Sequence, residues 1–369
     1  MDVIRYVPTL RWKQAERESL LHLSDKSKAV ITPLIDFLMP QPSTFTKQKK
    51  RKTAPELLKE SKGIFEKNLP GVAETIQKHW GNQPIFVDVS FIDAELRSAS
   101  LKQMLSGVAL FGNNIIPVIT LGSDKETIET AVSLVKKTGQ GLCLRLFRGN
   151  FDTSTLSSEL ESFLTQNKLS RKDVDLVIDF KIWNDRCAGL ENLLNALPNI
   201  DEWRTLTFLS GSFPPDLSEF ELGLNQTPRL EWTNWKAQVE SGKLSRNPSF
   251  GDYTILHPIY REPVTGANPS ASIRYTLEDK WLIMRGQGLR SEKGAGYAQY
   301  PAQAKLLMGQ PEFFGETFSY GDSYIAEKGA NIGTDKPGST TTWLRAGINH
   351  HLECTAKQFA NMGANKGSL

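Results

Sequence analysis

Ionisable side chains recur near the carboxyl ends of the predicted β-strands of this chain. Because side chains alternate between the two faces of a strand, one consistent phase marks the residues that share a face. That phase selects Arg11, Asp36, Asp88, Arg145, Asp179 and His257. Isolated charges cost several kcal/mol each in an apolar interior, so these groups are expected to pair with one another, to bind an ion, or to face a ligand and water.

Two hypotheses suit these residue types. In the first, Arg11, Lys13 and Arg145 bind an anionic group while a carboxyl or imidazole group acts as general acid or base. The catalytic candidates of that hypothesis are Asp36, Asp88, Asp179 and His257. In the second, Arg145 only neutralises neighbouring aspartates in a buried network without catalysis. We favour the first, and we expect Arg145→Met to fold with near-normal stability and to lose activity.

Metal, disulfide and membrane chemistry are less well supported. Aspartate and histidine are ligands that divalent cations accept, but their spacing here matches no metal-binding motif, so neither a metal site nor a particular cofactor is predicted. Cys143, Cys187 and Cys354 form no disulfide framework, which favours a reducing compartment. No apolar run approaches the length of about 18 residues that spans a membrane, and the N-terminus has no apolar signal core. We expect a soluble cytoplasmic protein without a membrane partner.

The elements that position these residues are eight apolar, partly β-branched runs, most of them followed by a helical pattern. The predicted strands are Arg5–Trp12, Ala29–Phe37, Pro84–Ser90, Asn114–Leu121, Gly141–Phe147, Asp173–Phe180, Arg204–Ser210 and Tyr253–Leu256. Alternation of strand and helix predicts an α/β fold, a TIM-like (βα)8 parallel barrel over residues 1–260. Active sites of such barrels lie at the carboxyl ends of the strands, where these candidates fall.

The eighth strand and the residues after it carry further expectations. Gly251-Asp252 is interpreted as a turn that precedes the strand, and His257 lies at its far end before Pro258. Residues 261–369 are predicted to form a C-terminal elaboration. It contains a hairpin over Ala271–Arg285, a glycine-rich segment and a final helix over about Ser339–Asn361. His350 and His351 are adjacent on that helix, so we expect only one to face inward.

The charge of the chain permits an anionic ligand. The formal net charge is +3, which does not require a nucleic-acid partner. The basic run Lys47–Lys52 is more typical of a solvated loop than of a nucleic-acid contact. If the run does bind nucleic acid, the affinity should fall steeply with salt, because each neutralised phosphate releases counterions.

Four segments resemble the Beta protein family of bacteria, phages and satellite mobile elements. The segments read Y-V-P-T-L-R-W-K at 6–13, F-G-D-Y-T-I-L-H-P at 250–258, F-S-Y-G-D-S-Y-I at 318–325 and T-T-W-L-R-A-G-I-N-H-H-L at 341–352. The resemblance implies a role in phage–bacterium conflict, either in anti-phage defence or in immunity to a companion toxin. It supplies no catalytic residues. A Gly-Asp pair occurs in two of these segments, and we add Asp252 and Asp322 to the ligand-binding candidates, although Gly-Asp is also a common turn dipeptide.

Two functions remain open at this point. In one, the protein is an enzyme, for example a hydrolase or phosphodiesterase, whose barrel mouth binds a small anionic or nucleotide-like ligand. In the other, it is a non-catalytic immunity or partner-binding protein that uses the barrel as a scaffold. Barrels host many functions, so the fold does not choose between them.

Overall fold

The computed structural model describes residues 5–46, 50–183, 189–262, 266–292 and 295–366. The strands are β1 (Tyr6–Leu10), β2 (Leu34–Asp36), β3 (Pro84–Asp88), β4 (Asn114–Ile119), β5 (Leu142–Phe147), β6 (Val174–Ile182), β7 (Thr205–Gly211), β8 (Gly223–Pro228), β9 (Ser249–Asp252), β10 (Ser270–Thr276) and β11 (Lys280–Gly288). Eight of them, β1 to β7 and β9, form a closed parallel barrel in that order. The predicted α/β barrel is confirmed.

Helices follow most of the barrel strands, as the alternating pattern predicts. They are α1 (Gln14–Leu21), α2 (Asp25–Val30), α3 (Ala54–Asn68), α4 (Val72–His79), α5 (Ala94–Phe111), α6 (Lys125–Thr138), α7 (Leu156–Asn167), α8 (Leu190–Asn195), α9 (Leu230–Glu240), α10 (Gln299–Met308), α11 (Tyr320–Ala330) and α12 (Thr340–Lys366). Within the described ranges, no helix combines the length and the apolar character that crossing a bilayer requires.

The chain divides into two compact units. The terminal unit contains the described residues of 5–31, 180–191 and 208–366, and the central unit contains residues 32–179 and 192–207. The domain boundary that the sequence predicts at residue 260 stays a prediction.

The central unit is built on strands whose apolar residues are buried on both faces. In β3, the side chains of Ile85, Phe86 and Val87 are at most 4% exposed. Such continuous apolar runs are typical of parallel strands that are covered on both sides. Asp36 and Asp88 end their strands as direct register partners. The only charged residue of β3 is therefore its last residue, at the carboxyl end of the strand.

The terminal unit contains an antiparallel sheet in the order β10-β11-β8. The predicted hairpin is confirmed by the pairing of β10 with β11. The strand β8 was not predicted, because its residues alternate between half-buried and exposed positions and include few apolar side chains. One apolar cluster packs against this sheet and joins it to the helices α10 to α12. Its buried members include Ile273, Leu282, Tyr300, Ile325 and Trp343.

The eighth barrel strand lies earlier than the sequence predicts. The strand ends at Asp252, and Tyr253–Leu256, predicted as the strand, forms a turn in which the Leu256 N–H donates to the Tyr253 carbonyl at 3.1 Å. Gly251, predicted in a turn, is a strand residue. A Cβ there would lie 2.9 Å from Leu209 and 3.0 Å from the Val7 carbonyl oxygen, so this glycine permits close packing of the strands. His257 therefore follows β9 by five residues.

The glycine-rich segment contains two helices that were not predicted, α10 and α11. In α11, Gly321 and Gly329 are unfavourable for a helix and obscured the helical pattern. At Gly321 a Cβ would lie 2.1 Å from the Ala346 carbonyl oxygen of α12. This glycine lets α11 and α12 approach closely, so it is explained by packing between helices.

Candidate functional site

Four of the predicted site residues meet in the central unit. Arg145 on β5 donates from Nη1 to Asp36 Oδ1 at 2.6 Å and to Asp88 Oδ2 at 2.7 Å. It also donates to Asp179 Oδ2, from Nε at 3.0 Å and from Nη2 at 2.7 Å. Arg145, Asp88 and Asp179 are fully buried, and Asp36 is 4% exposed. The alternation of side chains along the strands correctly predicted this convergence.

This set, the Arg145 cluster, is an ion-pair network, which is the geometry of our second hypothesis. One guanidinium serves three carboxyl groups, so the set contains more acidic groups than basic ones. Removing one member of such a buried network is strongly destabilising, because the charges that it neutralises stay buried. Among the described residues, no group of three or more His, Cys, Asp or Glu is arranged to hold a metal ion. The predicted roles of Arg145 in ligand binding and of the aspartates in catalysis stay predictions.

In the terminal unit, cationic side chains surround the segment that follows β9. Arg11 donates from Nη2 to the His257 carbonyl oxygen at 2.6 Å. Lys13 donates from Nζ to the Tyr260 hydroxyl at 3.0 Å. Both cations also lie over the Tyr260 ring, at 5.1 Å and 4.6 Å from its centre. Contact with the ring stabilises each cation and orients it.

The imidazole of His257 has a defined orientation. Its Nδ1 lies 2.8 Å from the Phe213 carbonyl oxygen, which only accepts hydrogen bonds. Nδ1 therefore carries a proton, and in the neutral ring Nε2 has the free lone pair. A half-buried imidazole held in this tautomer is suited to general base catalysis through Nε2.

A third cation, Arg274 on β10, was missed by sequence reasoning. It donates from Nη1 to the Ile255 carbonyl oxygen at 2.8 Å, and its guanidinium lies 4.8 Å from the centre of the Phe213 ring. Burial lowers the pKa of this guanidinium to about 10. The sequence did contain a signal for this residue, since Arg274 is a charged residue in a mainly apolar hairpin strand. No local sequence pattern, however, indicates that this strand contacts the segment after β9.

We refer to Arg11, Lys13, His257, Tyr260 and Arg274 as the cationic cluster. In the part of the chain that the structure describes, none of its three cations forms an ion pair with a carboxylate. The nearby Glu16 accepts a hydrogen bond from the Lys13 backbone N–H at 3.1 Å, and burial raises the pKa of its carboxyl. Cations that form no ion pair with a carboxylate favour the binding of an anion.

Backbone strain is concentrated beside the cationic cluster. Trp12, Lys181 and Thr254 have φ angles of 53°, 57° and 56° and lie at or just beyond the carboxyl ends of β1, β6 and β9. A non-glycine residue in this region costs of order 1–3 kcal/mol and persists only where its surroundings enforce it. Such strain is concentrated at functional sites in proteins, so it supports a site at this end of the strands.

The structure places Asp252 in a separate buried network of the terminal unit. It accepts hydrogen bonds from the Tyr6 hydroxyl at 2.8 Å, from His351 Nε2 at 2.8 Å and from the Thr254 N–H at 3.0 Å. Although burial opposes the shift, His351, Arg229 and the Thr254 N–H lower the pKa of Asp252. Asp252 is 1% exposed, and every one of these partners is a group of the protein.

Asp322 forms a similar buried pair with His350. It accepts from His350 Nδ1 at 2.8 Å and from the Tyr275 hydroxyl at 2.6 Å. His350 Nε2 lies 2.7 Å from the Thr276 carbonyl oxygen. Both ring nitrogens of His350 thus lie within hydrogen-bond distance of an oxygen atom of the protein. The ligand-binding roles predicted for Asp252 and Asp322 stay predictions.

The expectation that only one of His350 and His351 faces inward is wrong, since both are fully buried. The helix α12 packs against α1, α2, α11, β1 and β10 of the terminal unit. A helix surrounded in this way has no solvent face at that position, so neighbouring residues are buried on different sides.

A buried carboxyl group in the same unit is expected to make stability depend on pH. Burial raises the pKa of Glu231 from 4.5 to about 7, and its partner Ser212 donates a hydrogen bond to Oε2. The folded protein then binds more protons than the unfolded chain between these values, so stability should fall as the pH rises from 4.5 to 7. The loss should be about 3 kcal/mol at most, since one pKa unit corresponds to about 1.4 kcal/mol. Urea unfolding at pH 5 and pH 8 tests this, and Glu231→Gln should remove most of the difference.

Part of the basic run lies outside the described residues, namely positions 47–49. Among its described members, Lys52 forms an ion pair with Glu60. The nucleic-acid contact that we considered for this run stays a prediction.

A closed barrel of eight parallel strands, with polar side chains near their carboxyl ends, defines this chain as an α/β-barrel protein. It belongs to the Beta protein family, whose sequence profile matches residues 6–356. The resemblance that the four segments suggested is therefore confirmed.

Comparisons with individual proteins add little. The crystal structure of SacUVDE is similar, with a TM-score of 0.27 and 11% sequence identity, over 68% of this chain and 92% of that chain. A similarity at this level supports no inference about function. No curated protein matches the chain.

Proposed function

We propose that this protein acts in phage–bacterium conflict by binding a small anionic ligand at the cationic cluster. The observation that carries the proposal is the set Arg11, Lys13 and Arg274, none of which forms an ion pair with a carboxylate among the described residues. Guanidinium groups bind carboxylates and phosphates through paired hydrogen bonds, which makes an oxyanion the fitting ligand. The conflict role itself rests on the resemblance to the Beta protein family.

The cluster is also suited to hydrolysis of such a ligand. His257 Nε2 would take a proton from a water molecule whose oxygen attacks the phosphorus of a phosphate ester. The bond from phosphorus to the ester oxygen breaks, and the leaving alcohol takes a proton back from the imidazolium. The two guanidinium groups would stabilise the negative charge that develops on the phosphoryl oxygens.

Two substitutions separate binding from catalysis. Arg11→Gln should weaken ligand binding about tenfold or more, the effect of losing a charge-assisted hydrogen bond. His257→Asn keeps a donor for the Phe213 carbonyl but lacks Nε2, so it should retain the ligand and lose phage protection. Mass spectrometry of small molecules that co-purify with each variant, together with phage plating, measures both effects. Arg17→Gln on α1 is the control and should behave as wild type.

The alternative is a non-catalytic partner-binding protein, and one observation favours it. A cleft of about 470 Å³ in the terminal unit is lined by aromatic residues that include Trp232, Phe314 and Phe318. Phe314 is 40% exposed, and aromatic side chains are enriched at protein interfaces. If Phe314→Ser abolished protection while Arg11→Gln and His257→Asn protected normally, this alternative would replace the proposed ligand-binding function.

A further inference from the structure

We infer that the ligand of the cationic cluster carries two adjacent anionic groups, as an organic diphosphate does, with one group on Arg11 and the other on Arg274. The inference rests on the proposed function, because it specifies the ligand of the same site.

The two guanidinium groups are held by one short piece of backbone. Arg274 donates to the Ile255 carbonyl and Arg11 to the His257 carbonyl, at 2.8 Å and 2.6 Å. Two residues of fully extended chain span at most about 7 Å. The backbone is bent here rather than extended, at Leu256, which lies between the two residues whose carbonyls accept. The two cations are thus held on carbonyls that lie within the reach of one small ligand.

Both guanidinium groups retain unused donors. Among the described residues, the side chain of each donates only to its single carbonyl oxygen. A guanidinium has several N–H donors arranged as a fork that matches the oxygens of a phosphate group. Each arginine is therefore able to bind a phosphate group without losing the contact that positions it.

Both cations are also fixed by aromatic rings. Arg11 lies over Tyr260 and Arg274 over Phe213, so neither guanidinium needs to be ordered when the ligand binds. His257 contacts both arginine–ring pairs. Its Nδ1 donates to the backbone carbonyl of Phe213, and its backbone carbonyl accepts from Arg11. Preorganised donors of this kind increase affinity by reducing the entropy lost on binding.

The charge of the cluster exceeds that of a single anionic group. Arg11, Lys13 and Arg274 provide three positive charges, whereas one phosphate monoester carries about two negative charges at most near neutral pH. Since two of these charges are guanidinium groups held on different carbonyl oxygens, a second, adjacent anionic group would lie on the other guanidinium.

The test compares methylenediphosphonate with methylphosphonate, which carry the same head group twice and once and are not hydrolysed. Isothermal titration of the full chain should show the diphosphonate binding about tenfold more tightly or better, a difference of about 1.4 kcal/mol. Arg274→Gln and Arg11→Gln should each remove this preference and change methylphosphonate affinity only a few-fold. Arg290→Gln, an exposed arginine of the same unit, should preserve the preference.

The outcomes separate the inference from the proposed function. Equal affinity of the two phosphonates for the wild-type protein would overturn the two-group inference and leave anion binding intact. If neither phosphonate binds the wild-type protein, the two-group inference and the proposed anion binding are both overturned. If Arg274→Gln unfolds, Arg11→Gln tests the same point, because it leaves one guanidinium for two anionic groups. A full preference for the diphosphonate in a folded Gln variant at either position would overturn the two-group inference.

Discussion

Arg145→Met is expected to lower the free energy of unfolding by about 3–5 kcal/mol, the cost of removing one partner from a buried ion-pair network. The guanidinium serves Asp36, Asp88 and Asp179, and methionine supplies no donor for any of them. Urea unfolding of the variant measures the loss. The sequence led us to expect near-normal stability, and the contacts of the Arg145 cluster now predict the opposite result.

Arg171→Met is the matched control in the central unit. Arg171 pairs with Glu161 and Glu202, whose side chains are 47% and 55% exposed. Exposed ion pairs contribute about 1 kcal/mol or less, so this variant should stay close to wild type. Adding Asp179→Asn to Arg145→Met should restore part of the stability, because it removes one of the three carboxylate charges that Arg145 neutralises. A loss at Arg145 no larger than the loss at Arg171 would show that the cluster is hydrated and would favour its role in binding a ligand.

Asp252→Ala is expected to lower the free energy of unfolding by a similar amount, about 3–5 kcal/mol. The substitution leaves Tyr6, His351 and the Thr254 N–H without their acceptor. Each of these buried donors then bears the full cost of its lost hydration. Thermal and urea unfolding of the variant check the expected loss.

The effect of Asp252 should also depend on pH. The pKa of this carboxyl is lowered in the folded state, so its stabilisation is complete above the unfolded value of 3.8 and is lost as the pH falls through the folded value. The gap between wild type and Asp252→Ala should narrow as the pH falls below 3.8. Asp216→Ala, at an exposed loop position, should cost about 0.5 kcal/mol or less. A gap that widened in acid would contradict the assignment of an ionised Asp252.

Much of the central unit could be predicted from the sequence. The strand–helix period predicted the barrel because hydrophobic periodicity directly reflects backbone geometry. The two-residue alternation of strands also placed Asp36, Asp88, Arg145 and Asp179 together, although they lie far apart along the chain. The alternation of side chains depends only on the local backbone. The register of a closed parallel sheet then brings the same face of neighbouring strands together.

Other features depended on contacts that no local pattern records. Nothing in the residues around Gly251 distinguishes a turn from a strand that must approach Leu209 closely. The burial of both His350 and His351 depends on the number of elements that surround α12. The partners of these histidines lie 28 and 99 residues away, as Asp322 and Asp252.

The candidate site shows the same division. Arg11, Lys13 and His257 were predicted because they lie at or just beyond the ends of predicted strands. Arg274 was recognised as a member of the cationic cluster only from its contacts with Ile255 and Phe213, which lie 19 and 61 residues earlier in the chain. Residue type and local period determine which side chains share a face of an element. The packing of distant segments alone decides which charges find a carboxylate partner and which stay available to a ligand.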